Sequence, residues 1–258
     1  MKVLAIIPAR YASTRFPGKP LAELAGESII SRVYHRVRRT DGIEDVVVAT
    51  DDESICDHVE SFAEEGAVMM TSDEHRSGTD RCGEVVSRLA RQGYSYDVIL
   101  NVQGDEPFVE PDQLQALMAC FSNPEVQIAT LATRVRKADE LLSENNVKVV
   151  RAADGRALYF SRQPIPFCRG AEPKQWLDRF EYLKHVGIYA FRADVLPELC
   201  RLASGPLEEA EKLEQLRWLE AGYSIQVELT DHANIGIDTP DDLAAAEQYL
   251  KQKKSKRL

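Results

Sequence analysis

The sequence predicts an α/β protein built on a mixed, mainly parallel sheet covered by helices. Three observations carry this. The apolar runs are short and rich in Val, Ile and Leu, as buried strands are. They alternate with stretches of helical period, the pattern of strand–helix–strand units. The strongest runs end in loops holding Gly, Pro, Arg or Asp, and the carboxyl ends of such strands are where open α/β sheets bind ligands.

Residues 3–7 read as a buried first strand, followed by a polar loop and a helical segment around 27–39. Residues 46–50 form the next strand, 53–65 an amphipathic helix and 68–71 a short strand. Over 79–91, Val85, Val86, Leu89 and Ala90 share a helical face, and Thr79 suits the N-cap. Residues 98–102 are a third strong strand, 111–121 a helix with Pro111 in its first turn, and 128–133 another strand.

The pattern then changes. Residues 147–150, 157–161 and 185–191 look like strands without full helical connections, so about 134–205 reads as a less regular insertion within one domain spanning 1–258. A long helix is expected over 207–221, a strand over 225–229 and a last helix over 240–251. The basic stretch 251–257 reads as a solvated helix end whose cations complement the helix dipole.

The chain has 258 residues, 44% hydrophobic and 29% charged, with 32 Lys plus Arg against 42 Asp plus Glu and a net charge of −10. That balance excludes a general nucleic-acid binder, so anions must be met by cations gathered locally. Five isolated cysteines, none in a C-x-x-C pair, read as small core residues rather than metal ligands or a disulfide framework. No apolar run reaches the roughly 18 residues of a membrane helix, and residues 3–7 are too short for a signal-peptide core. A cytoplasmic protein without a membrane partner is the expectation.

The loop after the first strand holds Arg10, Arg15 and Lys19 within ten residues of an acidic chain, and Gly18 allows close backbone approach. Arg forks and a mobile Lys suit a polyphosphate. The spacing matches neither a Walker loop nor a dinucleotide fingerprint. A second loop, Asn101-Val102-Gln103-Gly104-Asp105-Glu106-Pro107, carries carboxylates at a strand end, where Asp105 suits Mg²⁺. In a third, Asp238 precedes the helix beginning at Pro240; on spacing alone, capping that helix is the simpler role for Asp238 or Thr239. Paired with Asp105, Asp238 would instead hold metal against a triphosphate. A fourth, His75-Arg76-Ser77-Gly78-Thr79-Asp80-Arg81, leads into a helix N-terminus, which favours an anion or a polar base edge.

These strings, with Ala49-Thr50-Asp51-Asp52, Leu158-Tyr159-Phe160-Ser161-Arg162, His185-Val186-Gly187-Ile188-Tyr189 and Leu213-Glu214-Gln215-Leu216-Arg217, occur in the order seen in CMP-Kdo synthetases. The chain closely resembles that family, the 3-deoxy-manno-octulosonate cytidylyltransferases. The resemblance implies a three-layer fold of the nucleotide-diphospho-sugar transferase type, with an inserted dimerisation and sugar-binding subdomain. It implies a homodimer that joins CMP from CTP to the sugar acid Kdo for lipopolysaccharide synthesis. By the same resemblance Arg10, Ser13, Arg15 and Lys19 bind the CTP phosphates, Ser77, Gly78, Thr79, Arg81 and Gln103 line the nucleotide, and Asp105 and Asp238 hold Mg²⁺. Arg162, His185, Tyr189, Glu214 and Gln215 face the sugar acid. Chemistry agrees in part: Arg162 and a charged His185 suit a sugar carboxylate, and His185 and Tyr189, four apart on a strand, share a face. Residues 167–179 and the approach 231–235 depart from the family pattern. The competing expectations are a cytidylyltransferase for sialate or an amino-substituted Kdo, and a nucleotide sensor that never releases pyrophosphate.

Overall fold

The structure, a computed structural model, describes residues 1–12, 14–232 and 236–255. The expected phosphate ligand Ser13 and the approach at 233–235 therefore lie outside the described residues. The chain forms two compact units, Met1–Gln115 with Asn234–Leu258, and Ala116–Ala233.

In the first unit β1 (Val3–Ala9) is buried almost throughout, as an aliphatic strand with neighbours on both sides must be. A small hairpin, β2 (Glu23–Leu24) and β3 (Glu27–Ser28), leads into α1 (Ile29–Arg38). Then come β4 (Asp45–Thr50), α2 (Glu53–Glu60), β5 (Val68–Met70), α3 (Gly78–Arg91) and β6 (Val98–Asn101). β1 pairs in parallel with β4 and β6, and β4 with β5, giving the order β6-β1-β4-β5. Parallel neighbours require crossovers, and α1, α2 and α3 supply them. The register sets Ala9 beside Thr50 and Ile6 beside Asn101, so the loops after β1, β4 and β6 leave from one edge.

Side-chain caps start the helices. Ser28 accepts from the Ser31 N–H at 3.2 Å, Asp52 from Ser54 at 2.9 Å and Ser77 from Asp80 at 3.1 Å. This corrects the expected Thr79 cap. Ser77 has the extended backbone a cap needs, and Thr79 lies inside α3, buried. The helix expected to reach residue 65 stops at Glu60, and the chain turns back through Gly66 at φ 82°.

The chain passes into the second unit within α4 (Pro111–Cys120). There follow β7 (Ile128–Arg134), α5 (Ala138–Leu142), β8 (Lys148–Arg151), β9 (Ala157–Ser161), α6 (Trp176–Arg179) and β10 (Leu183–Arg192). α7 (Leu196–Arg201), α8 (Pro206–Glu211), α9 (Gln215–Glu220) and β11 (Ile225–Leu229) complete the unit, which contains the stretch 134–205. β7 is parallel to β11 and antiparallel to β10, and β8 is antiparallel to β9 and β10. The sheet is thus mixed, with parallel pairing throughout β6-β1-β4-β5 and both kinds of pairing around β7 and β10.

The single helix expected over 207–221 is two helices, α8 and α9, split at Lys212, whose φ is 53°. Arg217 clamps Glu208 through Nε and NH2, each at 2.6 Å. Residues nine apart on a continuous helix point to opposite sides, so this contact requires the break.

The last helix, α10 (Pro240–Ser255), belongs to the first unit and runs past the expected end at 251. Ala246, with Leu243 and Leu250, packs into a cluster of Leu24, Ile29, Phe108 and Ile237. That cluster anchors the residues flanking Asp238.

Candidate active site

The loop after β1 is closed by its own backbone. The Gly18 N–H donates to Tyr11 O at 3.0 Å, and Gly18 takes φ 68°, which suits a residue without Cβ. A Cβ there would also stand 3.2 Å from the Tyr11 ring. Directly after Gly18, a 3₁₀ turn at Lys19–Leu21, with Pro20 buried, fixes the backbone of Lys19.

The loop after β6 is packed against the end of β1. Gly104 N–H donates to Pro8 O at 3.3 Å, and a Cβ on Gly104 would lie 2.9 Å from that oxygen, closer than any side chain tolerates. The Gln103 amide donates to Asn101 Oδ1 at 2.9 Å. Asp105 follows, and its carbonyl accepts the Ile237 N–H at 3.0 Å. One backbone hydrogen bond thereby brings Asp238 alongside Asp105.

Capping does not occupy Asp238. Thr239 Oγ1 accepts the Asp242 N–H at 3.2 Å, while Asp242 Oδ2 accepts the N–H groups of Asp238 at 3.1 Å and Thr239 at 2.9 Å. Of the two residues the sequence offers for the cap, Thr239 takes the role, which leaves the Asp238 carboxylate for other partners. Lys19 Nζ lies 2.6 Å from Asp105 Oδ2 and 3.1 Å from Asp238 Oδ1. Arg15 NH2 reaches Asp238 Oδ2 at 3.1 Å. The Lys19 side chain is 11% exposed and that of Arg15 63%, so the lysine bridge is the stronger interaction.

A cavity of about 180 Å³ opens here. The first loop lines it with Arg10, Arg15 and Lys19, the start of α3 with Ser77, Gly78 and Arg81, the loop after β6 with Gln103 and Asp105, and the approach to α10 with Asp238. With Arg76, five cations face two carboxylates in a protein of net charge −10. Of the expected nucleotide residues that are described, Thr79, buried inside α3, is the one not among its walls. Arg81 is nearly buried, donating to Asp51 Oδ2 at 2.6 Å and to the Thr71 hydroxyl, so its position is fixed in advance.

His75 and Arg76 also line the cavity, although the sequence reading gave them no role. The signal was present in the string they share with Ser77. His75 Nε2 meets Glu84 Oε2, and Glu84 also accepts the Ser72 N–H at 2.9 Å. Burial raises the Glu84 pKa, but the bonds from Ser72 and His75 and the charge of Arg88 outweigh it and lower the value overall. An ionised carboxylate only accepts, so His75 Nε2 carries a proton.

The expected sugar-acid residues lie in the second unit. The rings of His185 and Tyr189 are 5.3 Å apart on β10, sharing a face as expected even though the register shifts between Val186 and Tyr189. Thr130 Oγ1 is 2.9 Å from His185 Nε2 and donates to Ile188 O at 2.8 Å, so the imidazole donates to Thr130. Desolvation pulls the His185 pKa from 6.5 to about 3. The ring is therefore neutral, which corrects the expectation of a charged imidazole. Tyr189 packs edge-on to Trp218 at 5.1 Å, and burial, with the charge of Glu214, pushes its pKa up. Gln215 is buried at the start of α9. Arg162 donates through Nε, NH1 and NH2 to three carbonyl oxygens, leaving two of its five N–H groups.

A positively lined cavity at the carboxyl edge of a parallel sheet, with one carboxylate just past the end of β6 and a second just before α10, defines a nucleotidyltransferase. The sequence model of the cytidylyltransferases matches residues 4–227. A 3-deoxy-manno-octulosonate cytidylyltransferase of Parabacteroides distasonis is 50% identical over 97% of this chain and 98% of its own. One from Bacteroides thetaiotaomicron is 52% identical over 98% and 100%. A solved structure of CMP:2-keto-3-deoxy-manno-octonic acid synthetase complexed with CTP superposes with a TM-score of 0.88 at 39% identity, covering 98% of this chain and all of that one. The chain belongs to the 3-deoxy-manno-octulosonate cytidylyltransferase family.

Proposed function

We infer that the protein transfers CMP from CTP to 3-deoxy-manno-octulosonate and releases pyrophosphate. The observation that carries this is the convergence of Lys19 on Asp105 and Asp238 in a cavity walled by five cations. The names and near-complete coverage of the relatives support the choice of substrates.

The anomeric hydroxyl of the sugar acid attacks the α-phosphorus of CTP. A new P–O bond forms, the bond to the β-phosphate oxygen breaks, and the hydroxyl proton is released. Arg10 and Lys19 stabilise the negative charge that grows on departing pyrophosphate. Arg81 needs no reordering, because Asp51 and Thr71 already hold it. No covalent enzyme intermediate is required; positioning and electrostatics do the catalysis.

The residues present fit Mg²⁺. Two carboxylates already approach a single cationic centre, the Lys19 ammonium, at 2.6 and 3.1 Å. Among the described residues no group of three or more acid, His or Cys ligands gathers. That suits an ion which takes one or two protein carboxylates and fills its shell with water and phosphate oxygens. Asp105 and Asp238 would hold it, and when bound it supplies polarisation of the phosphate and charge neutralisation.

Asp105→Asn tests the site. Turnover should fall about a hundredfold to a thousandfold with the fold intact, the cost of removing one preorganised electrostatic group. Wild-type turnover in that variant at saturating Mg²⁺ would refute the assignment.

We place the protein in the cytoplasm, in lipopolysaccharide synthesis, acting without nucleic acid. The net charge of −10 supports the last point. No helix among the described residues is long and apolar enough to cross a membrane. We further propose a homodimer, which the resemblance to the family implies. A monomer in sedimentation at micromolar concentration would end that reading.

A further inference from the structure

Lys148 opens β8, and its side chain is fully buried. An ammonium has three N–H donors, and each finds one backbone carbonyl: Ser143 O at 2.9 Å, Asn146 O at 2.5 Å, and Arg162 O. Burial pulls its pKa down, opposed by the negative charge of Glu211. One ammonium is the shared donor for all three carbonyls, so an apolar side chain of similar length would leave them without it.

Arg162 extends the same arrangement. Its Nε donates to Glu211 O at 2.8 Å, NH1 to Glu144 O at 3.0 Å and NH2 to Lys212 O at 3.4 Å. Its backbone N–H donates to Glu211 Oε2 at 2.9 Å, and the Ser161 hydroxyl donates to Glu211 Oε1 at 2.6 Å. Two cations and one carboxylate thus tie together three separate segments of the second unit: the turn at 143–146, the end of β9 and the turn at 211–212. The sugar-acid residues hang from these ties. Arg162 is one of them. The His185 N–H donates to Val147 O at 2.8 Å, beside Lys148. Glu214 and Gln215 follow the left-handed Lys212 by two and three positions.

We propose that Lys148, with Glu211, is a positioning residue for the sugar-acid site, tying together three backbone segments that carry or adjoin its side chains. The proposal rests on the reading of Arg162, His185, Glu214 and Gln215 as sugar-acid residues. Lys148 acts through backbone placement and does not touch substrate. A site residue displaced by roughly 1 Å loses on the order of a hundredfold in activity, so releasing this tie should be visible in the kinetics.

The test is Lys148→Met, which keeps length and removes the donors. KM is measured for the sugar acid at saturating CTP and for CTP at saturating sugar acid, with melting temperature as a check on folding. The expected result is a rise of about tenfold to a hundredfold in the sugar-acid KM with the CTP KM unchanged. A folded variant with a lower melting temperature but a wild-type sugar-acid KM overturns the proposal, because the lysine would then be scaffold only. Equal rises in both KM values overturn it as well. Should Lys148→Met fail to fold, Glu211→Gln loosens the same tie at constant size. It should show a smaller rise confined to the sugar-acid KM, and an unchanged value in that folded variant also overturns the proposal. Wild-type protein that releases no pyrophosphate with CTP and 3-deoxy-manno-octulosonate would overturn the functional reading itself. An unchanged KM in Lys148→Met beside an active wild type removes only the positioning role.

Discussion

At the residue scale the centre of the protein is one ammonium and two carboxylates. Lys19 is held by a left-handed Gly18 and a 3₁₀ turn, Asp105 by a strand end that admits no side chain at Gly104, and Asp238 by the backbone bond from neighbouring Ile237 to Asp105. None of the three positions depends on the charges themselves. The Coulombic coupling between them should therefore be separable from folding. A double-mutant cycle of Lys19→Met with Asp105→Asn, followed by urea unfolding, should return a coupling of about 1–2 kcal/mol, as expected for a partly buried charge-assisted bond. The same cycle on Arg15 and Asp238, both half exposed or more, should return less than about 1 kcal/mol and fade with added salt. Equal couplings for the two pairs would contradict the burial argument.

At the element scale the key device is the start of α10. Asp242 accepts the N–H groups of Asp238 and Thr239, so its carboxylate sets the backbone that aims Asp238. Asp242→Ala should cost about 1 kcal/mol of stability, the usual value of a lost cap, and should also lower turnover although Asp238 is untouched. Loss of stability with unchanged turnover would show that the cap serves the helix alone. This pairing also shows how far the sequence could be read. The acids around Pro240 and the cations after β1 were legible because residue type and place beside a strand or a helix start are local signals. Which acid caps and which stays available was not, since Asp and Thr side by side satisfy the cap rule equally. Only the contacts of Asp242 and the long-range approach of Lys19 decide it. The break in the expected 207–221 helix was hidden for the same reason. Glu-Lys-Leu-Glu is good helix sequence, and the buried pairing of Arg217 with Glu208 that forces Lys212 to φ 53° is a tertiary contact. The neutral state of His185 was likewise beyond reach, because desolvation depends on what packs around the ring.

At the scale of the whole molecule, the shifted groups make stability depend on pH in two separable windows. Glu208, held by Arg217, has a lowered pKa, as does Glu140, where burial is outweighed by the bonds from Lys184 and Arg136. Glu84 behaves alike. For a depressed carboxylate the contribution is present above the unfolded value near 4.5 and disappears as pH falls through the folded value. His185 acts at higher pH. Its folded pKa is about 3 against an ordinary 6.5, so below 6.5 the unfolded chain takes up a proton that the folded chain refuses. Falling pH then favours unfolding, by at most about 2 kcal/mol between pH 6.5 and 5. Both tryptophans, Trp176 and Trp218, lie in the second unit with His185, so their fluorescence reports the relevant transition. Dilute samples are needed, because the net charge vanishes near the isoelectric point of 5.1 and association is then favoured. Urea midpoints followed by tryptophan fluorescence should fall steadily from pH 6.5 to 5 in the wild type. In His185→Gln, which keeps a donor for Thr130, the curve should be flat over that window and fall only below about pH 4.5, where the carboxylates protonate. A wild-type midpoint independent of pH between 6.5 and 5 would mean that the imidazole accepts its proton in the folded protein and that His185 is not held neutral.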